Sequence, residues 1–297
     1  MRRLLITLLL VVLPLGLACA EITQVAAQAD AMHDTGMFVE ARKLLLDSVA
    51  GAADGKEQAE LYWRAARETL ELGDIAEKEK KPQADVLAVF LEGEGYADKA
   101  IAADPRNDLG YYWKSSNIGR WGQVKGILNS LFKAGPMKDL LVKVLSINPD
   151  RTDAYYVLGQ LYRELPGWPV SFGSIDAAVS LGRKAVDLRQ GQVQAGTEKE
   201  LAYNFFTELA KTLYKRNLSS AARSAEQKNR AAKLAAASAP LDKGSYFEAT
   251  VSLKDMSDRE EAKALAVWVV TEVGNLPSLS AGQAKDLQKA KDVLKGW

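Results

Sequence analysis

The chain has 297 residues, 47 % of them hydrophobic and 26 % charged, with a formal net charge of +1. That is the composition of a folded chain with one elongated or two ordinary domains, which excludes wholesale disorder and a multispan membrane protein and makes nucleic acid a poor partner. One Cys and one His do not suffice for a zinc cluster, a disulfide framework or a Cys–His nucleophile pair.

The chain opens on Met1-Arg2-Arg3, followed by a nearly unbroken apolar run from Leu4 to Leu17. Pro14 and Gly16 break the run just before Ala18-Cys19-Ala20, a small-residue cleavage site ahead of Glu21. The pattern reads as a signal peptide over residues 1–20, because the apolar core is shorter than the roughly 20 residues of a membrane span. It predicts export, which in a bacterium with two membranes means the periplasm. Cys19 offers a second, less favoured reading. Gly16 stands where a lipobox wants Leu, so lipidation at Cys19 competes with its removal along with the signal.

Past residue 20 the chain repeats itself. Aromatic doublets followed by small or apolar residues recur at Tyr62-Trp63, Tyr112-Trp113, Tyr155-Tyr156 and Phe205-Phe206. Apolar residues at i, i+3 and i+4 are common, and no stretch alternates long enough for a strand, so the chain is expected to be all-α. In the first repeat Gly36 turns the chain between a helix carrying Val25 and Met32 and one carrying Ala41, Leu45 and Ser48. Later repeats are longer, with extra residues expected between paired helices at 74–81, 121–135 and 165–174. The Ala-rich stretch from Ala221 to Ala239 is a good helix former. Ser257-x-x-Glu260 and Ser280-x-x-Gln283 are capping boxes that open two last helices, the first ending at Gly274-Asn275.

At Tyr155-x-x-Leu158-Gly159-x-x-Tyr162 the sequence resembles the first helix of a tetratricopeptide repeat, W-x2-L-G-x2-Y, and Ala178 and Ala185 stand seven apart as its second helix requires. The resemblance implies an α-solenoid: a degenerate array of about five antiparallel helix pairs over residues 21–240, closed by a helical cap over 241–297. An irregular helical bundle is the alternative. In such an array Trp63, Trp113 and Tyr156 would line a groove continued by Gln160 and Arg163, unless these rings pack inside. The loop Leu165-Pro166-Gly167-Trp168-Pro169-Val170-Ser171-Phe172-Gly173-Ser174 would either plug a helix pair or present an adhesive tip.

The segments from Tyr111 to Trp121 and from Tyr155 through Gly173 are similar to those of the T component associated with TRAP transporters, on Trp113, Trp121, Leu165, Pro166 and Gly173. That resemblance implies a periplasmic protein, commonly an oligomer, that docks the substrate-binding protein of an organic-acid or hydrophobic-ligand uptake system. Catalysis is not expected. His33 follows the core position Met32 without a second His or a Cys, Glu198, Glu200, Glu260 and Glu261 sit at polar helix starts, and no nucleophile, metal or phosphate-loop motif is present. The reading is a non-enzymatic adaptor without metal or cofactor that holds a periplasmic or membrane protein. A general envelope-assembly adaptor and a carrier of a small apolar ligand are the alternatives.

Overall fold

The computed structural model describes residues 15–126 and 128–297. The core of the expected signal peptide lies outside them, and so does the side chain of Cys19, the expected lipidation site. Among the described residues there are thirteen α-helices and no strand, and no helix is long and apolar enough to cross a membrane. The chain divides into two compact units between Asn117 and Ile118.

The first unit holds α1 (Leu15–Asp34), α2 (Phe38–Ser48), α3 (Gly55–Lys78), α4 (Gln83–Ala103) and the start of α5 (Asp108–Lys125). Each of α2, α3 and α4 packs on the helix before it. The α1–α2 turn is made by Gly36 at φ +78°, which costs a residue without Cβ little. Gly36 N–H donates to His33 O and Met37 N–H reaches back to Met32 O, both at 2.9 Å, satisfying carbonyls that the helix end leaves open. Asp54 caps α3 by accepting from Glu57 N–H. Leu45, Leu61, Ala29, Ala41 and Ala65 form one core cluster.

Small residues set how closely α3, α4 and α5 approach. A Cβ on Gly73 of α3 would lie 2.4 Å from the ring of Phe90, which is fully buried on α4. A Cβ on Gly93 of α4 would meet Asn117 Oδ1 at 2.1 Å. Asn117 uses that space to donate from Nδ2 to Ala66 O at 3.2 Å and Trp113 O at 2.9 Å, tying α5 to α3. The extra length expected as a loop over 74–81 is mostly helix, since α3 runs on to Lys78 and only a short turn follows.

The second unit continues with the rest of α5, a 3-10 turn at Leu128–Ser130, α6 (Leu131–Ile147), α7 (Thr152–Glu164) and α8 (Ile175–Gln194). It then holds α9 (Tyr203–Arg216), α10 (Ser220–Ala236), α11 (Pro240–Ser245), a 3-10 turn at Phe247–Thr250, α12 (Asp258–Gly274) and α13 (Ala281–Lys295). Here too α7 packs on α8, α8 on α9, and α12 and α13 on each other and on α9. Gly159 sits where α7 meets α8, and a Cβ there would lie 3.3 Å from Ala178 O. Gly244 of α11 lies against the Tyr155 ring, 2.7 Å from where its Cβ would be. Both capping boxes form as the sequence predicts, at Ser257/Glu260 and Ser280/Gln283. Of the expected insertion at 121–135, residues 121–125 extend α5 and residues 128–135 are a 3-10 turn and the start of α6, whereas 165–174 is a loop. The architecture is all-α, with neighbouring helices packed in antiparallel pairs as in an α-solenoid.

Phe90→Ala empties the space beneath Gly73, and urea denaturation followed by circular dichroism should show a loss of about 3–5 kcal/mol in the first unit. A loss below about 1 kcal/mol would mean that this contact does not hold α3 to α4.

Candidate functional site

Of the expected groove residues, Trp63 and Arg163 are buried and Trp113, Tyr156 and Gln160 are half-buried. Trp63 is only 7 % exposed, packed with Ala59 and Ala100 and covered by Tyr62, Ala103, Leu109 and Trp113. The guanidinium of Arg64 lies 4.1 Å from its ring centre, and that of Arg67 5.6 Å. Trp113 is half-buried, edge-on to Tyr112 at 5.1 Å. The correction has a simple cause. Adjacent residues on a helix point about 100° apart, so one ring of each doublet must face inward, and in α3 it is Trp63 instead of Tyr62.

In the second unit Tyr156 stacks on Phe205 with ring centres 4.3 Å apart. Burial first, then the nearby Glu208 charge, push its hydroxyl pKa up, while hydrogen bonds with Asn204 and Gln160 act against that rise. Tyr156, Gln160 and Phe205 line a cavity of about 10 Å³, closed by Gly159, Gly182 and Glu208. That is room for roughly one water molecule. Arg163 is buried and paired with Glu164 and Glu208, both at 2.7 Å. The rings of Trp63 and Tyr156 thus pack against neighbours within their own units.

The 165–174 loop does two things at once. Gly173 N–H donates to Pro166 O at 2.9 Å and Ser174 N–H to Tyr162 O at 2.9 Å, pulling the loop back against α7. A Cβ on Gly173 would lie 1.9 Å from Leu165 O, so the closure needs glycine there. Phe172 packs edge-on to Tyr162 at 5.2 Å and carries the Lys138 ammonium 4.4 Å from its ring centre. Trp168 and Val170, by contrast, are 89 % and 67 % exposed. Before and at the start of α6, Leu128 and Phe132 are 78 % and 69 % exposed. Phe132 meets Trp121 edge-on at 6.2 Å, and Lys133 lies 4.5 Å over the Trp121 ring. Sequence reasoning missed Leu128 and Phe132, since apolar residues fall on every side of α6 and give no face to single out.

Three ionic clusters were also not foreseen. In the first unit Arg64 and Arg67 share Asp30, and Arg67 also pairs with the buried Glu68, whose Oε2 lies 2.9 Å from His33 Nδ1. Burial raises the Asp30 pKa, and the hydrogen bonds and charges of Arg64 and Arg67 outweigh it, leaving it below the usual value. In the second unit Arg183 holds Glu261 through two 2.8 Å bonds and Glu248 through a third at 2.9 Å. Arg216 grips Asp258 at 2.8 and 2.9 Å and shares Glu248, while Arg223 pairs with Asp258 and Glu261. A third cluster sets Glu208 against Arg163, Lys211 and Lys289. Burial raises the Glu208 pKa, but these three cations bring it from 4.5 down to about 2. Glu248 and Glu261 are lowered in the same way: burial raises each, and bonds to Arg216 and Arg183 win.

Carboxylates engaged this fully by guanidinium groups are poor proton shuttles, because an arginine neither releases its proton nor frees the oxygen that would accept one. Among the described residues, no three His, Cys, Asp or Glu side chains converge as a metal ion would require.

These positions can be compared with known proteins. Residues 25–167 match the family model for regulator of microtubule dynamics protein 1-3. Curated relatives named regulator of microtubule dynamics protein 1 come from mouse, cattle and Sumatran orangutan. The mouse protein is 25 % identical over 142 residues, 48 % of this chain and 44 % of its own. The cattle protein is 27 % identical over 142 residues, 47 % and 41 % of the two chains. The orangutan protein is 26 % identical over 145 residues, 48 % and 43 %. The alignment spans less than half the length of each relative.

The matched stretch runs from α1 into the 165–174 loop. It includes Trp113, Trp121, Leu165 and Pro166, four of the five residues on which the TRAP T-component resemblance rested, and so corrects that resemblance and the tetratricopeptide family assignment with it. The expected periplasmic address, the uptake-system and envelope partners, the small-ligand carrier and the bacterial lipid anchor fall too, because these relatives are animal proteins and animal cells have no periplasm.

Two measurements check this division between interior and surface. Arg216→Met leaves Glu248 and Asp258 short of a partner and should cost about 3–5 kcal/mol in chemical denaturation, whereas Trp168→Ala should stay within about 0.5 kcal/mol of wild type. The lowered Glu208, Glu248 and Glu261 contribute stability that is complete above their unfolded pKa near 4.3 and is lost as pH falls toward 2. Asp286, raised by burial, acts in the opposite sense. Thermal melts should therefore hold steady down to about pH 4.5 and collapse below it; a melt rising into that acid range would contradict the ionic account.

Proposed function

We propose that the chain is a non-catalytic protein-docking module that acts on microtubules, the role carried by the name of its relatives. The observation that supports this most is the match over residues 25–167, a run of paired helices that includes the exposed Leu128 and Phe132 and reaches the loop bearing Trp168. A stack of helix pairs supplies a rigid surface, and its ionisable clusters are spent on internal ion pairs, which suits holding a partner better than transforming a substrate. Exposed aromatic side chains at element ends are the type of residue that dominates protein interfaces.

The test is co-sedimentation of the purified chain with stabilised microtubules, together with the turbidity of polymerising tubulin. Saturable pelleting and a changed polymerisation rate are expected. A chain that stays in the supernatant at every microtubule concentration and leaves turbidity unchanged would refute the proposal.

A further inference from the structure

We infer that α13 is an exchangeable helix: it leaves α9 while the rest of the second unit stays folded, and its place is taken by α13 of a second copy of this chain. The inference does not rest on the microtubule reading and lies outside the stretch matched to the relatives.

By itself α9 is incomplete. Its N-cap position is Ala202, which offers no side-chain acceptor, and its first turn holds no acidic residue. The missing acceptor comes from α13, where Asp286 accepts from Asn204 N–H at 3.2 Å and sets a carboxylate at the positive end of the helix. One turn on, Lys289 of α13 reaches the buried Glu208 at 2.6 Å. Gln283 donates to Glu200 at 2.6 Å, and Trp297 stacks on Tyr214 with ring centres 4.3 Å apart. The partners advance together, 283 with 200, 286 with 204, 289 with 208 and 297 with 214, so α13 lies parallel to α9.

These contacts are specific, yet they hold α13 lightly. Among its described side chains only Ala290 is buried, with Leu287, Val293 and Leu294 half-buried. In α12, by contrast, Ala262, Ala266, Val269 and Val273 are all fully buried. Hydrophobic stabilisation follows the apolar area removed from water, so α13 gains less from docking than α12 does and opens at a lower free energy. Opening strands no buried charge, because Glu208 keeps Arg163 at 2.7 Å and Lys211 at 3.0 Å.

The face left on α9 calls for a carboxylate at its start, an ammonium one turn later and a small residue beside it. The Asp286, Lys289 and Ala290 of a second copy meet that demand by identity, and each bond within one chain is remade between two. The connection from α12 to α13 covers residues 275–280 and contains Pro277, which keeps the two helices from joining as one. Six residues extend to roughly 20 Å, which gives α13 reach without moving α12.

A disulfide reports where α13 sits. In the full chain carrying Cys19→Ser, the pair Gln283→Cys and Glu200→Cys replaces two side chains that touch. Oxidation links them within one chain when α13 is at home and between two chains when it has exchanged. After incubation at rising protein concentration, a non-reducing gel should show a growing share of covalent dimer, and added salt, which screens Lys289 from Glu208, should speed its formation. Crosslinks confined to single chains at every concentration, or as much dimer from either cysteine alone, would overturn the inference. A second variant works without cysteines. Deleting residues 276–279 leaves a two-residue connection of about 7 Å at most, shorter than the roughly 8–10 Å between packed helix axes. Its α13 then reaches only another copy, so light scattering should find a dimer even in dilute solution while the circular dichroism spectrum stays that of wild type. A folded, monomeric deletion variant would overturn the inference as well, and if the deletion unfolds the chain, the cysteine pair decides.

Discussion

How closely two helices approach is decided by the side chains where they meet, and in this protein those side chains are small. Gly73 beneath Phe90, Gly93 beside Asn117, Gly159 against Ala178 and Gly244 against Tyr155 each leave space that a Cβ would fill. Large residues then occupy the space the small ones open, as Phe90 and Asn117 do. Packing of this kind needs partners only from adjacent helices. Each helix pair is therefore specified by its own neighbours, and both units can be built from the same device without a single large core. Close-packed pairs also resist gradual deformation, which lets them hold surface residues in fixed positions.

Buried charge in the second unit is matched, arginine against carboxylate. Arg183, Arg216 and Arg223 are matched by Glu248, Asp258 and Glu261, so the three cations and three anions cancel inside the second unit. Such a cluster need not add net stability, but removing one member strands the others. It therefore fixes how the 3-10 turn at Phe247–Thr250 and the start of α12 sit on α8, α9 and α10.

Much of the local structure is legible in the sequence, since it depends on neighbours in the chain. Gly36, Asp54, Ser257 with Glu260, and Ser280 with Gln283 each mark a helix end through bonds spanning only a few residues. The loop at 165–174 is announced by its prolines and glycines. What escapes is set by contacts between distant residues. Which ring of Tyr62-Trp63 faces inward depends on how α3 rolls against its neighbours. Arg183 and Glu261 are 78 positions apart, and no local charge pattern joins them. The exposure of Phe132 is hidden because α6 has apolar residues all round, and only packing tells which of them stay outside. The family resemblance failed for a related reason. Small residues and aromatics at helical spacing are what paired helices need in general, so such motifs report the pairing and carry little about function.

In the proposed role the helix pairs are a rigid support, and the exposed residues at the start of α6 and in the loop after α7 meet the partner. Amide hydrogen exchange read by mass spectrometry, with and without microtubules, addresses that assignment directly. Exchange should slow at residues 128–138 and 166–172 when microtubules are added and stay unchanged in α2, α3 and α4. Protection confined to those three helices, or none anywhere in the chain, would contradict it.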